Sequence, residues 1–372
     1  MKYHLTVFVI YLGILTTNLF SQCSHENRLG RTNTDSYVDQ SSSAAFVDDG
    51  FSKIDTEVPQ NIPLTTKSFL LNTAQDVDRS ELQKLVAPGA SIKKLVSGMG
   101  FTEGPVWFFL NKTLVFSDIP NAKLMEWSGT DGLKLFRASA NPNGNLLDLE
   151  GRILTCRHGA RDIVRTEVDG KLTVLCSRFE NKLLNSPNDV AIKSDGTIWF
   201  TDPPWGLPNQ TEGKEQQGNF VFRLNPKTGQ LSALLKTLCM PNGIAFSPDE
   251  KYLYIADTGG NWHHDDSLRD RPATISSYKL NKDGTLHAKP TWEIKAFCDG
   301  MAVDVTGKIY TTAREGIAVL SPAGKLIATI KVPEAPSNCC FGGDDFKTLF
   351  ITARTSLYSI DLKTAGTKPQ KK

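Results

Sequence analysis

Six polar residues recur in this chain at the same place in a repeated pattern: Glu103, Asn143, Asn188, Asn242, Asp299 and Asn338. Each opens a short apolar run that turns back into a second apolar run, as in NDVAIKSDGTIWFTD from Asn188. All six carry side-chain oxygen, and none is Lys, Arg or His. Carboxylate and amide oxygens gathered on one axis repel each other unless a cation sits among them. Hard oxygen donors suit Ca²⁺ first, with Mg²⁺, Zn²⁺ and Mn²⁺ as the other divalent candidates. Two carboxylates against one such ion leave little net charge. Four protein ligands leave Ca²⁺ room for waters or substrate oxygens. A plain structural reading competes with this one. Asn-Gly and Asp-Gly are common turn pairs, and four of the openers are followed by Gly. Glu103 speaks against turns, because Glu is a poor turn residue. Asn188-Asp189 after Pro187 is not a hairpin turn pair either.

The elements that position these residues follow from their spacing. The openers lie 40, 45, 54, 57 and 39 residues apart. Each opens a strand, a turn and a second strand, and a further hairpin follows before the next opener, as in FVFRLNPKTGQLSALL from Phe220. Four strands in every 40 to 50 residues describe a propeller blade, so six openers predict an all-β, six-bladed β-propeller. The last unit, from Asn338, has no good fourth strand after SLYSIDL; ASIKKLVSG (Ala90 to Gly98) is expected to supply it. Closing the ring this way removes two exposed sheet edges. The propeller is therefore expected over 90–364, with a polar tail at 365–372 and a linker with a short helix near Asp78 to Val86 in 23–89.

Composition narrows the partners. The 372 residues carry a formal net charge of +2 and no long basic run, so nucleic acid is a poor partner. Leu5 to Phe20 is apolar behind a weakly basic start, which reads as a signal peptide over 1–22 and an exported protein, periplasmic or extracellular. A lipid anchor on Cys23 and an uncleaved anchor are the alternatives. Beyond Cys23 lie six cysteines, none in a CxxC pattern. They read as buried small hydrophobes, with a Cys298 bridge to Cys339 or Cys340 as the minor alternative.

The stretches TEGPVW, LNSPNDVAIKSDGTIWFTDPPWGL, MPNGIAFSPDEKYLYIADT, CDGMAVD and NCCFGG resemble the gluconolactonase/regucalcin-like family from about residue 90 to 362. The resemblance implies a six-bladed propeller, a divalent cation at the channel mouth and hydrolysis of sugar lactones. It implies metal ligands at Glu103, Asn242 and Asp299, with Asn188 binding the metal directly or through water or substrate. Asn143 and Asn338 are left as channel and substrate-pocket residues.

Lactone opening then needs an electrophile for the carbonyl and a base for the water. Asp299 is the first candidate for the base, Asp257 the second and His158 the third. His158 and Arg157 fall 14 to 15 residues after their opener, the same offset as Asp202 and Asp257. Arg157 is expected to grip sugar hydroxyls or a carboxylate product. The two long polar connections, 202–219 and 257–274, are expected to build the pocket, with Trp205 and Trp262 as stacking platforms or loop packing. His263 to Asp266 make a weak transition-metal pattern, since neighbouring side chains in one loop seldom close a site. Two alternatives stay open: a phosphotriester hydrolase resembling diisopropyl fluorophosphatase, and a propeller that only binds a ligand.

Overall fold

Alternating short strands and tight turns become six four-stranded antiparallel sheets in the computed structural model. The structure describes residues 79–260 and 268–368, all within the unit Glu57–Lys372. The proposed signal peptide, Cys23, most of the linker, Trp262, His263 to Asp266 and residues 369–372 lie outside the described residues. A helix, Arg79–Leu85, precedes the propeller. The inner strands of the six blades are Thr102–Phe108, Pro142–Leu147, Val190–Ile192, Pro241–Phe246, Met301–Val303 and Pro336–Gly342. Each is followed by the second strand of its blade, which runs back toward the start of the inner one: Thr113–Asp118, Ile153–Arg157, Ile198–Asp202, Tyr252–Asp257, Ile309–Ala313 and Thr348–Ala353. An extra two-stranded hairpin, Arg178–Phe179 with Lys182–Leu183, links blades two and three.

The ring closes as its missing fourth strand requires. Lys93–Ser97 pairs antiparallel with Ser356–Asp361 and completes the sixth sheet. Glu334 clamps the seam. It accepts from Lys94 Nζ at 2.8 Å, Ser356 Oγ at 2.6 Å and Tyr358 Oη at 2.7 Å. Burial works against the charge of Glu334, but the hydrogen bonds from Lys94, Ser356 and Tyr358 outweigh it and hold the carboxyl down at about 2. On the far side of the seam, Ala365 O accepts from Val305 N at 3.0 Å and Thr367 N donates to Val303 O at 3.0 Å. The chain thus stays bonded to the fifth blade through Thr367 rather than leaving it at 364.

The core is shared between blades rather than held within them. Leu154, Ile163, Ile198, Phe200 and Phe222 fill the space between the second and third blades. Trp199, fully buried, meets Phe246 edge to face at 5.4 Å between the third and fourth. Short strands with apolar residues on both faces suit this arrangement, because each sheet is covered by a neighbour on either side. None of the six described cysteines is in a disulfide, and none is exposed. The minor alternative of a bridge from Cys298 therefore fails: its thiol contacts Thr311 Oγ1 instead.

Candidate active site

The inner strands are irregular where they begin. In four blades the pairing to the second strand slips at the opener, between Glu103 and Val106, Pro142 and Asn145, Pro241 and Ile244, and Pro336 and Asn338. Such bulges turn side chains out of the pleat and are used at barrel rims and active sites. The glycines after the openers are not hairpin turns. Gly243 N donates to Asp299 O at 2.8 Å, and a Cβ on Gly243 would lie 2.3 Å from that oxygen. Gly144 N donates to Asn188 O in the same way, at 2.8 Å. Glycine is used here because adjacent inner strands touch backbone to backbone at the axis. The turn-pair explanation of the openers falls with that observation.

The structure brings the openers together. Glu103 is 3% exposed; its Oε2 accepts from Gly104 N at 2.8 Å and from Asn338 Nδ2 at 3.1 Å. Asp299 is half-buried, with Glu103 and the amide of Asn242 as its side-chain neighbours. Thr312 Oγ1 accepts from Asp299 N at 2.8 Å, and Thr258 Oγ1 accepts from Asn242 Nδ2 at 3.0 Å. The buried Asn188 amide has no hydrogen-bond partner among the described residues. Asn338 Oδ1 accepts from Cys339 N at 2.8 Å, so its amide nitrogen is the end that serves Glu103.

The sequence leaves Asp189 open between a support of the ligand shell and a turn cap. Asp189, the neighbour of an opener, is buried against the ring, with Oδ1 accepting from Val190 N at 2.9 Å and Oδ2 from Ile244 N at 3.4 Å. Its charge reaches both Glu103 and Asp299. Burial, then the charge of Asp189, pushes the Asp299 carboxyl up to about 7. Burial and then Asp299 push Glu103 well above the usual carboxylate range. Burial alone lifts Asp189 to about 6, against hydrogen bonds that lower it. Behind the ring the channel widens into a cavity of about 490 Å³, lined by all six inner strands and including Asp189 and Asn338.

The arrangement fits a divalent cation. Buried Glu103 and Asp189 with half-buried Asp299 beside them, all three with raised proton affinity, form a site where positive charge is missing. Among the described residues no three or more His, Cys, Asp or Glu side chains make a metal cluster by themselves. The donor set must therefore include the amide oxygens of the asparagines, which is oxygen chemistry and favours hard cations.

The other predicted site residues divide. Asp257 is a backbone latch, not a free base: its oxygens accept from Cys239 N at 2.8 Å, Met240 N at 2.7 Å and Gly259 N at 3.0 Å. Asp202 accepts from Asn185 N at 2.8 Å, and Asp118 from Gly100 N at 3.0 Å. Three blades thus repeat one device, an Asp at the end of the second strand that holds the segment leading into the inner strand. The shared offset of Asp202 and Asp257 reflects that device. Arg157 stands at the equivalent place in the second blade and is held by Asp162 through two bonds of 2.7 and 2.5 Å. His158 is buried, with Nε2 3.0 Å from Asn143 Nδ2. Burial lowers its imidazole to about 4.

The long connection after Asp202 is stitched down as a wall. Ser186 Oγ donates to Pro203 O at 2.7 Å and accepts from Gly206 N at 2.8 Å. Arg161 Nη1 donates to Gly213 O at 2.9 Å, and Gln216 Nε2 to Leu183 O at 3.0 Å. Trp205 is half-buried in this wall, and its Nε1 is sealed from solvent without a partner.

The family model for the SMP-30/gluconolactonase/LRE-like region matches residues 101–355. The chain belongs to that family. A gluconolactonase from Zymomonas mobilis is 31% identical over 314 residues, which cover 77% of this chain and 85% of that one. The solved structure of a gluconolactonase from Xanthomonas campestris superposes with a TM-score of 0.67 at 31% identity, covering 77% of this chain and 94% of that one. A calcium-binding regucalcin from Agrobacterium tumefaciens superposes with a TM-score of 0.61 at 18% identity, over 76% of this chain and 97% of that one, which bears on the fold alone. The matched span of the family model holds all six openers.

Proposed function

We propose that the propeller is a lactone hydrolase of the gluconolactonase type, dependent on a divalent cation held at the channel mouth. The observation that carries the reading is the cluster of buried Glu103 and Asp189 with half-buried Asp299, set beside the unpartnered amide of Asn188. The gluconolactonase relatives point to the substrate class, small sugar lactones. Glu103, Asn188, Asn242 and Asp299 would hold the ion, and their hard oxygen donors favour Ca²⁺. When bound, such an ion supplies Lewis-acid polarisation of a carbonyl.

The chain's own residues supply the rest. Thr312 and Thr258 fix the approach of Asp299 and Asn242 to the axis. Asp299 keeps part of its surface at the mouth, and a carboxylate oxygen not committed to the ion suits it to take a proton from attacking water. Asp189 stands behind it, with its charge in reach. Arg157, pre-oriented by Asp162, keeps donors that the fork to Asp162 does not use, and these suit a sugar hydroxyl or the carboxylate of the opened product.

The lactonase reading is preferred over phosphotriester hydrolysis and over ligand binding alone because the gluconolactonase relatives run the length of the propeller. The test is one purified sample with Ca²⁺, with EDTA and with Ca²⁺ restored, assayed on an aldonolactone and on a phosphotriester. Calcium-restored opening of the lactone above background is expected. Turnover of the phosphotriester alone, or of neither, overturns the reading. An export signal at residues 1–22 and a lipid anchor at Cys23 remain part of the proposal. Mass determination of the mature N-terminus after expression in a bacterial host separates cleavage near residue 22, lipidation at Cys23 and an intact chain.

A further inference from the structure

His158 is the one imidazole packed against the ring among the described residues, and its surroundings leave it little freedom. It is 5% exposed. Its backbone is pinned on both sides, with N donating to Asn141 O at 2.9 Å and O accepting from Arg161 N at 3.2 Å. The pocket wall closes over it. A Cβ on Gly206 would lie 2.5 Å from His158 Cβ and 2.8 Å from Cγ, so only glycine lets the wall come this close. One ring nitrogen faces the site, and its neighbour is the amide nitrogen of Asn143, 3.0 Å from Nε2. An amide nitrogen only donates. Nε2 must therefore be the acceptor, and the imidazole carries its proton on Nδ1. The lone pair that a general base would need is already occupied.

The consequence falls on Asn143. Its nitrogen is tied outward, and its Oδ1 takes no hydrogen bond among the described residues and is not sealed from solvent. We propose that His158 is a positioning residue: by accepting from the Asn143 amide nitrogen, it presents the Asn143 carbonyl oxygen to the channel mouth as an acceptor for a hydroxyl of the lactone. Gly206 belongs to the same device, since it seats the wall on the imidazole. This rests on the lactonase reading for its substrate, but the tautomer does not. The burial that holds the imidazole at about 4 keeps it neutral, and so able to accept, across the physiological range.

Two measurements test it. The first needs no activity: the ¹⁵N resonances of His158 in the wild-type protein at neutral pH. A neutral ring protonated on Nδ1 is expected, and protonation on Nε2 overturns the proposal even in a sample that opens no lactone. The second is a double-mutant cycle. His158→Ala and Asn143→Ala are each expected to lower kcat/KM by about 10–100-fold, the usual cost of removing an outer partner of a site. If His158 acts through Asn143, the double variant falls within about twofold of Asn143→Ala alone. His158→Gln, whose side-chain oxygen can accept the same hydrogen bond, is expected to recover most of the loss and keep the wild-type pH profile. Multiplicative losses in the double variant, or loss of the acidic limb in His158→Gln, would make His158 a catalytic base and overturn the proposal. Thermal melts of each variant identify any that lose activity by unfolding, and the tautomer measurement on wild type stands regardless.

Discussion

Two sets of acids sit at the same end of the same blades, one strand apart, and do opposite things. Asp118, Asp202 and Asp257 close the second strands, and their oxygens are taken by backbone N–H groups of the segments entering the inner strands. Glu103, Asp299 and Asp189 stand at the starts of inner strands and face each other. The first set spends its charge on fixed dipoles and holds the chain in place. The second is burdened by its own repulsion and is available to a cation. What separates the two sets is the company of other acids, since Glu103 and Asp189 also accept backbone N–H groups but Glu103 and Asp299 each lie within reach of other acids' charge. Asp202 marks the boundary. Its Oδ1 is sealed without a partner, and burial raises it to about 7 despite the bond to Asn185 N.

The strongest way to break the contrast is to neutralise one acid of each set. Glu103→Gln and Asp299→Asn are expected to cut kcat/KM for an aldonolactone by on the order of 10³-fold or more, while the melting temperature in EDTA holds or rises, because a buried repulsion is gone. Activity near wild type in either variant would move the site elsewhere. Asp257→Ala should do the reverse. Three backbone N–H groups lose their acceptor, which costs on the order of 2–4 kcal/mol by denaturant titration. The surviving folded fraction should still need calcium for activity. A variant that melts like wild type but cannot be activated would place Asp257 in the chemistry after all.

Calcium itself gives a smaller effect. Binding to the native state alone raises stability by RT ln(1 + [L]/Kd), about 2.7 kcal/mol at one hundred times Kd. The shift in melting temperature between EDTA and Ca²⁺ should vanish in Glu103→Gln and persist in Asp257→Asn. Equal shifts in both would erase the distinction between ring and latch.

Glu334 is the mildest case, an acid matched to a lysine at the seam. Its carboxyl sits at about 2 in the folded protein, below the ordinary value of about 4.3. The stability it contributes is therefore present in full above pH ~4.3 and lost as pH falls toward ~2. Glu334→Gln is expected to lower the melting temperature slightly at neutral pH. The difference from wild type should shrink as the sample is acidified through that window. A difference that grows on acidification would contradict the seam's electrostatics.

Much of this protein was legible before any coordinates. The six openers, their spacing and the missing fourth strand depend on local alternation and turn residues, and they lead directly to a six-bladed ring closed by Lys93–Ser97. Glu103 and Asp299 stood out because carboxylates at axis positions need an explanation. Other parts were not legible. Asp189 lies one residue from an opener, and in a regular strand its side chain would point away from the axis. That it turns instead toward the ring depends on the neighbouring strand, whose Ile244 N donates to its Oδ2. Asp257 and Asp299 look alike in sequence, because the N–H groups that saturate the one and not the other come from backbone conformations the side chains do not announce. His158 was placed near the ring by its offset, but the occupied lone pair that turns it from base to orienter is a contact across the blade.

The sequence alone thus determined the number of blades, the ring of oxygen donors and the strand that closes the circle, because each follows from a pattern repeated along the chain. Only the tertiary structure decided which acids repel and which are capped, and which histidine nitrogen is free. Those properties belong to distances between residues far apart in sequence, where burial, hydrogen-bond partners and the charge of neighbouring acids set the chemistry of each group.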